Sequence, residues 1–169
     1  MESRKEEFLN LLKNYQGILY RVSMIYFKNS VDREENVQEI IYQLWKSFST
    51  LRTNSFGSWI YAVAINTSIS RIRKGSRIEY RESLPDFPDN GNYEENFSKS
   101  ESFQMLIKAI YNLDEINKSV ILLYLEEKSY EEIADILGMS RSNVGVRILR
   151  AKEILKQTLK KTTQWKITS

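Results

Sequence analysis

Cysteine and histidine are both absent from the 169 residues. The first absence excludes a disulfide framework and any thiolate metal site. The second removes the commonest general base and the commonest metal ligand together. A catalyst would be left with carboxylates, lysines, tyrosines or hydroxyls, so the sequence disfavours an enzyme and nominates no catalytic residue, metal ligand or cofactor. Helix breakers are scarce too. There are two prolines and six glycines, and four of these stand at Gly75, Pro85, Pro88 and Gly91, leaving long helix-compatible segments on either side. No apolar run approaches the ~20 residues of a membrane span. The charged start, Met1 to Glu7, leads into an amphipathic segment rather than a secretory leader. The expectation is a cytoplasmic protein without membrane insertion.

No alternation of period two runs far enough for a sheet, whereas apolar residues recur at three-four spacing along nearly every segment. Phe8, Leu11, Leu12, Tyr15, Leu19, Val22 and Tyr26 mark a helix over about residues 3–28. Val37, Ile41, Leu44, Phe48 and Leu51 mark another over about 31–50, and Trp59, Ile60, Val63 and Thr67 a third over 56–74. Leu84 to Asn92 sets two prolines among acids and glycine, which cannot sustain a helix. Helices are expected again from Ser100 to Leu113 and from Glu115 to Glu127. The predicted fold is all-α. It comprises helical domains at residues 1–76 and 100–162, a flexible linker at 77–99 and a disordered tail at 163–169.

The stretch from Ser129 to Arg150 says most about function. Ser129 and Glu132 stand at capping-box spacing, and Ile133, Ala134 and Leu137 supply an apolar face. Gly138 suits the left-handed position that ends a helix, and Ser140 caps the next one. There Val144, Ile148, Ala151 and Leu155 form a packing stripe, while Arg141, Arg147, Arg150, Lys152 and Lys156 project elsewhere. This is a helix-turn-helix, whose second helix fits a DNA major groove with flanking cations on phosphates. A helical hairpin with merely solvated arginines is the bland alternative.

Charge is +3 overall, but its distribution is uneven. Eight bases and one acid, Glu153, lie between Arg141 and Lys166, and Arg71, Arg73, Lys74, Arg77 and Arg81 form a second basic cluster. Between them, residues 82–96 hold five acids (Glu82, Asp86, Asp89, Glu94, Glu95) and no base. Blocks of this kind suggest separate tasks along the chain. The third helix combines Phe56, Trp59, Tyr61 and Asn66 with its terminal bases, a set able to stack and hydrogen-bond unpaired bases. Packing alone would also explain Phe56 and Trp59, and dipole compensation would explain Arg71 to Lys74.

Taken in order, these parts resemble a bacterial RNA polymerase sigma factor of the extracytoplasmic-function type, over about residues 8–160. Asp32 to Trp45 is similar to the family's helix that binds the polymerase β′ clamp. The resemblance implies Asp32, Glu35, Gln38, Glu39, Gln43 and Trp45 as contacts to core polymerase, whose β′ clamp and β subunits are the implied partners. Phe56 to Asn66, with Arg71 to Lys74, resembles the segment that opens and reads the minus-ten element. It implies Asn54, Ser55 and Phe56 at a flipped base, with Trp59, Asn66, Arg71, Arg73 and Lys74 near the melted strand. Leu113 to Leu159 resembles the domain that reads the minus-thirty-five duplex, implying Arg141, Ser142, Asn143, Arg147, Arg150 and Lys152 at promoter DNA. The acidic linker would thread the polymerase's RNA exit path.

Departures from the family pattern stand at Ala62, Ile65 and Ser70 in the third helix and at Gly145 and Val146 in the recognition helix. They imply a weaker grip on DNA, and leave room for an anti-sigma factor or another recruiting protein. Two other classes stay open. A helix-turn-helix regulator could bind duplex DNA as a dimer through residues 1–75. A recombinase-like enzyme would need a tyrosine or serine nucleophile, and no arginine-histidine set accompanies one here.

Overall fold

The computed structural model describes residues 3–52, 55–75 and 100–168, with side chains described through residue 162. Among these residues there are seven helices and no strand: α1 (Arg4–Tyr26), α2 (Ser30–Phe48), α3 (Phe56–Lys74), α4 (Glu101–Tyr111), α5 (Glu115–Leu125), α6 (Tyr130–Leu137) and α7 (Arg141–Thr168). Packing divides the chain into two units, Met1–Phe97 and Ser98–Ser169.

In the first unit each of α1, α2 and α3 packs on the other two. The start of α1 is held by a reciprocal cap, in which the Ser3 hydroxyl accepts from the Glu6 N–H and the Glu6 carboxylate accepts from the Ser3 N–H. Phe8, Leu19, Val22, Val37, Ile40, Leu44, Ile60, Ala64 and Ile65 are buried almost completely. Because α1 contacts two partners, its buried face is wider than one stripe. Ile18, Met24 and Ile25 join the core, whereas Leu11 and Tyr15 are half-buried.

The second unit is built on α7, against which α4, α5 and α6 all pack. Asp114 caps α5 by accepting from the Asn117 N–H at 2.8 Å. At the other end of α5 the Lys128 N–H donates to the Leu123 carbonyl and the Glu127 N–H to the Tyr124 carbonyl, with Glu127 at φ 63. That is a Schellman stop with glutamate where glycine is usual. The α7 helix runs to Thr168, so residues 163–168 of the expected disordered tail are helical. No glycine or proline follows Gly145, so no local breaker halts propagation. Asn54 and the expected linker at 77–99, with Arg77, Arg81 and its acids, lie outside the described residues.

Candidate functional site

The turn between α6 and α7 is closed by local chemistry. Ser129 and Glu132 form the full capping box. Gly138 adopts φ 67, in the left-handed region, and the Ser140 hydroxyl accepts from the Asn143 N–H at 3.1 Å. Ile133 and Ile136 bury the inner face of α6, with Ala134 and Leu137 half-buried beside them. On α7, Val144, Ile148, Ala151 and Leu155 are buried, as the spacing predicts. Arg141, Ser142, Asn143, Arg150 and Lys152 are exposed.

Two of these cations are already oriented. A guanidinium nitrogen of Arg141 lies 2.9 Å from the Glu131 carboxylate. The Lys152 ammonium donates to the Tyr124 hydroxyl at 2.7 Å and sits 4.1 Å from its ring centroid. Arg147 departs from the expected set. It is half-buried and donates to the Asn117 Oδ1 at 3.5 Å, toward α5 rather than outward. Reaching from the edge of the buried stripe, its side chain meets a neighbouring helix before it meets solvent.

Ser55, just before α3, and Asn66 on it are exposed, and Phe56 and Trp59 are half-buried. Tyr61, grouped with these aromatics in the sequence reading, is instead 4% exposed and belongs to the core. Arg73 and Lys74 are exposed. Arg71, expected at the melted strand, is turned to α2: it meets the Glu35 carboxylate at 3.5 Å and donates to the Glu35 carbonyl at 3.4 Å. An open cleft of about 450 Å³ runs between α2 and α3 beside Asn66, lined also by Gln43, Lys46, Ser47, Thr50, Thr67 and the aliphatic Val63. Its lining offers amides, hydroxyls and an ammonium.

The α2 residues expected at the polymerase are dispersed. At the helix start the Asp32 carboxylate accepts from the Asn29 side-chain amide, and the Asn29 Oδ1 accepts from the Asp32 N–H. Gln43 donates to Glu39 at 3.0 Å, and Gln38 and Glu35 are exposed. Trp45 faces α1: its ring packs edge-on against Phe8 at 5.2 Å, with the Arg4 guanidinium 4.5 Å from its centroid. That contact makes Trp45 part of the packing between α1 and α2.

These two units correspond to two known protein families in the order found here. Residues 11–78 match the model of sigma-70 region 2, and residues 103–155 match that of sigma-70 region 4. The sigma factor YlaC of Bacillus subtilis is 30% identical, over 66% of this chain and 67% of its own length. The chain belongs to the RNA polymerase sigma factors. Its group is the extracytoplasmic-function type, as in the sigma-E factor of Haemophilus influenzae, 29% identical over 92% of this chain and 88% of that protein. SigV of Bacillus subtilis is 26% identical over 95% of both chains. The fold is also that of RpoE from Bartonella quintana, solved with the anti-sigma factor NepR: TM-score 0.65, 21% identity, 92% of this chain and 96% of that one.

As a sigma factor, this chain carries its minus-ten candidates within region 2 and its minus-thirty-five candidates within region 4. The sequence pattern does not mark the cleft residues Lys46, Ser47 and Thr50 or the exposed Leu149, and it marks Thr67 only as part of a helix stripe. Leu149 could have been found by projecting the stripe of Val144, Ile148 and Ala151 to the opposite side of the helix. The cleft depends on how α2 crosses α3, and no local pattern carries that.

Proposed function

We propose that this sigma factor divides its work between its two helical units. The chain is a transcription initiation factor and not an enzyme: it binds core RNA polymerase and promoter DNA. Residues 1–76 hold the polymerase and the opened minus-ten strand, and residues 100–162 read the minus-thirty-five duplex. The observation that carries this reading is the order of region 2 and region 4 on one chain, the latter with a helix-turn-helix whose outer face is uncovered.

On α2, Gln38, Glu39 and Gln43 present the polymerase-facing surface, supported by Asp32, Glu35 and Trp45. At the minus-ten element, Asn54, Ser55 and Phe56 surround the extruded base, while Trp59, Asn66, Arg73 and Lys74 hold the strand along the α2–α3 cleft. Extrusion costs a few kcal/mol, which stacking and hydrogen bonds must offset. At the duplex, Ser142 and Asn143 reach base edges, and Arg141, Arg150 and Lys152 meet phosphates. No described helix is long and apolar enough to cross a membrane, and we place the protein in the cytoplasm with the polymerase.

By likeness to RpoE, a protein of the anti-sigma kind is proposed to bind this chain, and co-purification from the native cell tests it. The central reading is tested by transcription. Purified core polymerase gains initiation at discrete promoter positions when the chain is added, and no stable complex forms if the reading is wrong.

A further inference from the structure

The buried stripe of α7 defines its opposite side. With 3.6 residues per turn, the ridge facing away from Val144, Ile148, Ala151 and Leu155 is Ser142, Val146, Leu149 and Glu153. Val146 is 44% exposed and Leu149 68%. Cations flank this ridge rather than crown it. Arg141, Lys152 and Lys156 lie along one side and Arg150 along the other, while Arg147 is held by Asn117. In a helix that enters a major groove, flanks meet phosphates and the crown of the first turns meets base edges. Here that crown is one hydroxyl and two aliphatic side chains, with the exposed Asn143 amide at its edge on the Arg150 side.

An aliphatic group makes no hydrogen bond, and the one feature of the major-groove edge that it complements is the 5-methyl of thymine. Against the carbonyls and amines of other bases it removes water without replacing the lost hydrogen bonds, which is penalised. Attraction to one base and rejection of the rest therefore come from the same two side chains. Glu153, next along the ridge, accepts from Gln157 at 3.2 Å. Its charge is unfavourable near phosphates, so the base-reading stretch ends at Leu149.

We infer that Val146 and Leu149 read thymine methyl groups in the upstream promoter duplex, so that methyl contact more than hydrogen bonding sets sequence preference there. The inference rests on the placement of α7 in the major groove proposed above.

Holoenzyme made from core polymerase and the full chain is used to select duplexes from a pool randomised over the upstream element, the downstream element being held constant. Thymines shared by the selected sequences are then replaced singly by deoxyuridine, which deletes only the methyl. Binding weakens about fourfold at each contacted position. Val146→Ala and Leu149→Ala each abolish the thymine-uracil difference at one position. Both sites are exposed and alanine favours the helix, so both variants keep their helical circular dichroism. Equal binding of thymine and uracil by the parent holoenzyme overturns the inference and leaves the duplex reading standing. Discrimination that survives both alanine variants overturns it too, and is the outcome if this ridge serves a protein partner. A pool with no upstream enrichment overturns both the inference and the placement of α7.

Discussion

Arg71 on α3 and Glu35 on α2 approach to 3.5 Å between guanidinium and carboxylate, and a second guanidinium nitrogen donates to the Glu35 carbonyl at 3.4 Å. The same guanidinium carbon lies 5.7 Å from the Phe27 ring centroid. The end of the helix proposed to hold melted DNA is thus tied to the helix proposed to hold polymerase. Side-chain exposures of 20% for Arg71 and 50% for Glu35 leave the pair partly screened by solvent, so its contribution is modest.

This separates two neighbouring cations by role. Arg71→Ala lowers unfolding free energy by about 1 kcal/mol, from the ion pair and the ring contact together. Lys74→Ala, at an exposed site in the last turn, lowers the melting temperature less than Arg71→Ala does and reduces the dependence of log K on log salt for melted promoter DNA by about 0.7. Thermal melts and binding at several salt concentrations check both, and an exchange of the two behaviours contradicts the assignment.

Two glycines seven positions apart respond oppositely to the same change. Gly138 at φ 67 ends α6, and alanine there costs about 1–2 kcal/mol. Gly145 lies inside α7, where an added Cβ would sit 3.6 Å and 4.0 Å from Tyr130 ring carbons, in ordinary contact. Gly145→Ala therefore stabilises, by up to about 1 kcal/mol. Urea unfolding of both variants reads the two signs.

The α6 cap has a pH signature. The Ser129 backbone N–H bonding the Glu132 carboxylate, the Ser129 hydroxyl and nearby Lys128 hold its pKa below the ordinary glutamate value. A depressed carboxylate adds stability above its unfolded pKa and loses it as pH falls through the folded one. Stability of the helix-turn-helix therefore drops as pH falls through and below the ordinary glutamate range, in part through this group. Glu132→Gln flattens that part of the profile, and an NMR titration of the Glu132 carboxyl follows it directly.

One buried amide joins three helices in the first unit. Asn36 Nδ2 on α2 donates to the Ser23 hydroxyl on α1 at 2.9 Å and to the Ser68 hydroxyl on α3 at 2.8 Å. The hydroxyls donate onward to the Leu19 and Ala64 carbonyls. Asn36→Ala takes the donor from both and leaves a void, for a loss of about 2–3 kcal/mol. Asn36→Leu, which fills the space and removes the unpartnered Oδ1, loses less. Equal losses in calorimetry would show that the void alone decides.

The features legible in the sequence are those whose partners lie within one turn. Ser129 with Glu132, Gly138, Ser140 and the stripe Val144, Ile148, Ala151 and Leu155 involve residues three or four apart, so spacing alone places them. Residues that fared worse owe their surroundings to another helix. Arg71 reaches a residue 36 positions away, Arg147 one 30 away, and Trp45 receives a bond from Arg4 across 41. Tyr61 reads as a surface aromatic until α3 is packed on α1 and α2.

The sequence by itself determined seven helices' worth of periodicity, the helix-turn-helix and the separation of charge, because caps, breakers and stripes act locally. Only tertiary packing decided which cations remain outward and which become struts. A long side chain at the edge of a helix goes to whichever carbonyl, carboxylate or ring the neighbouring helix brings within reach, and that is set by helix crossing, not by local order.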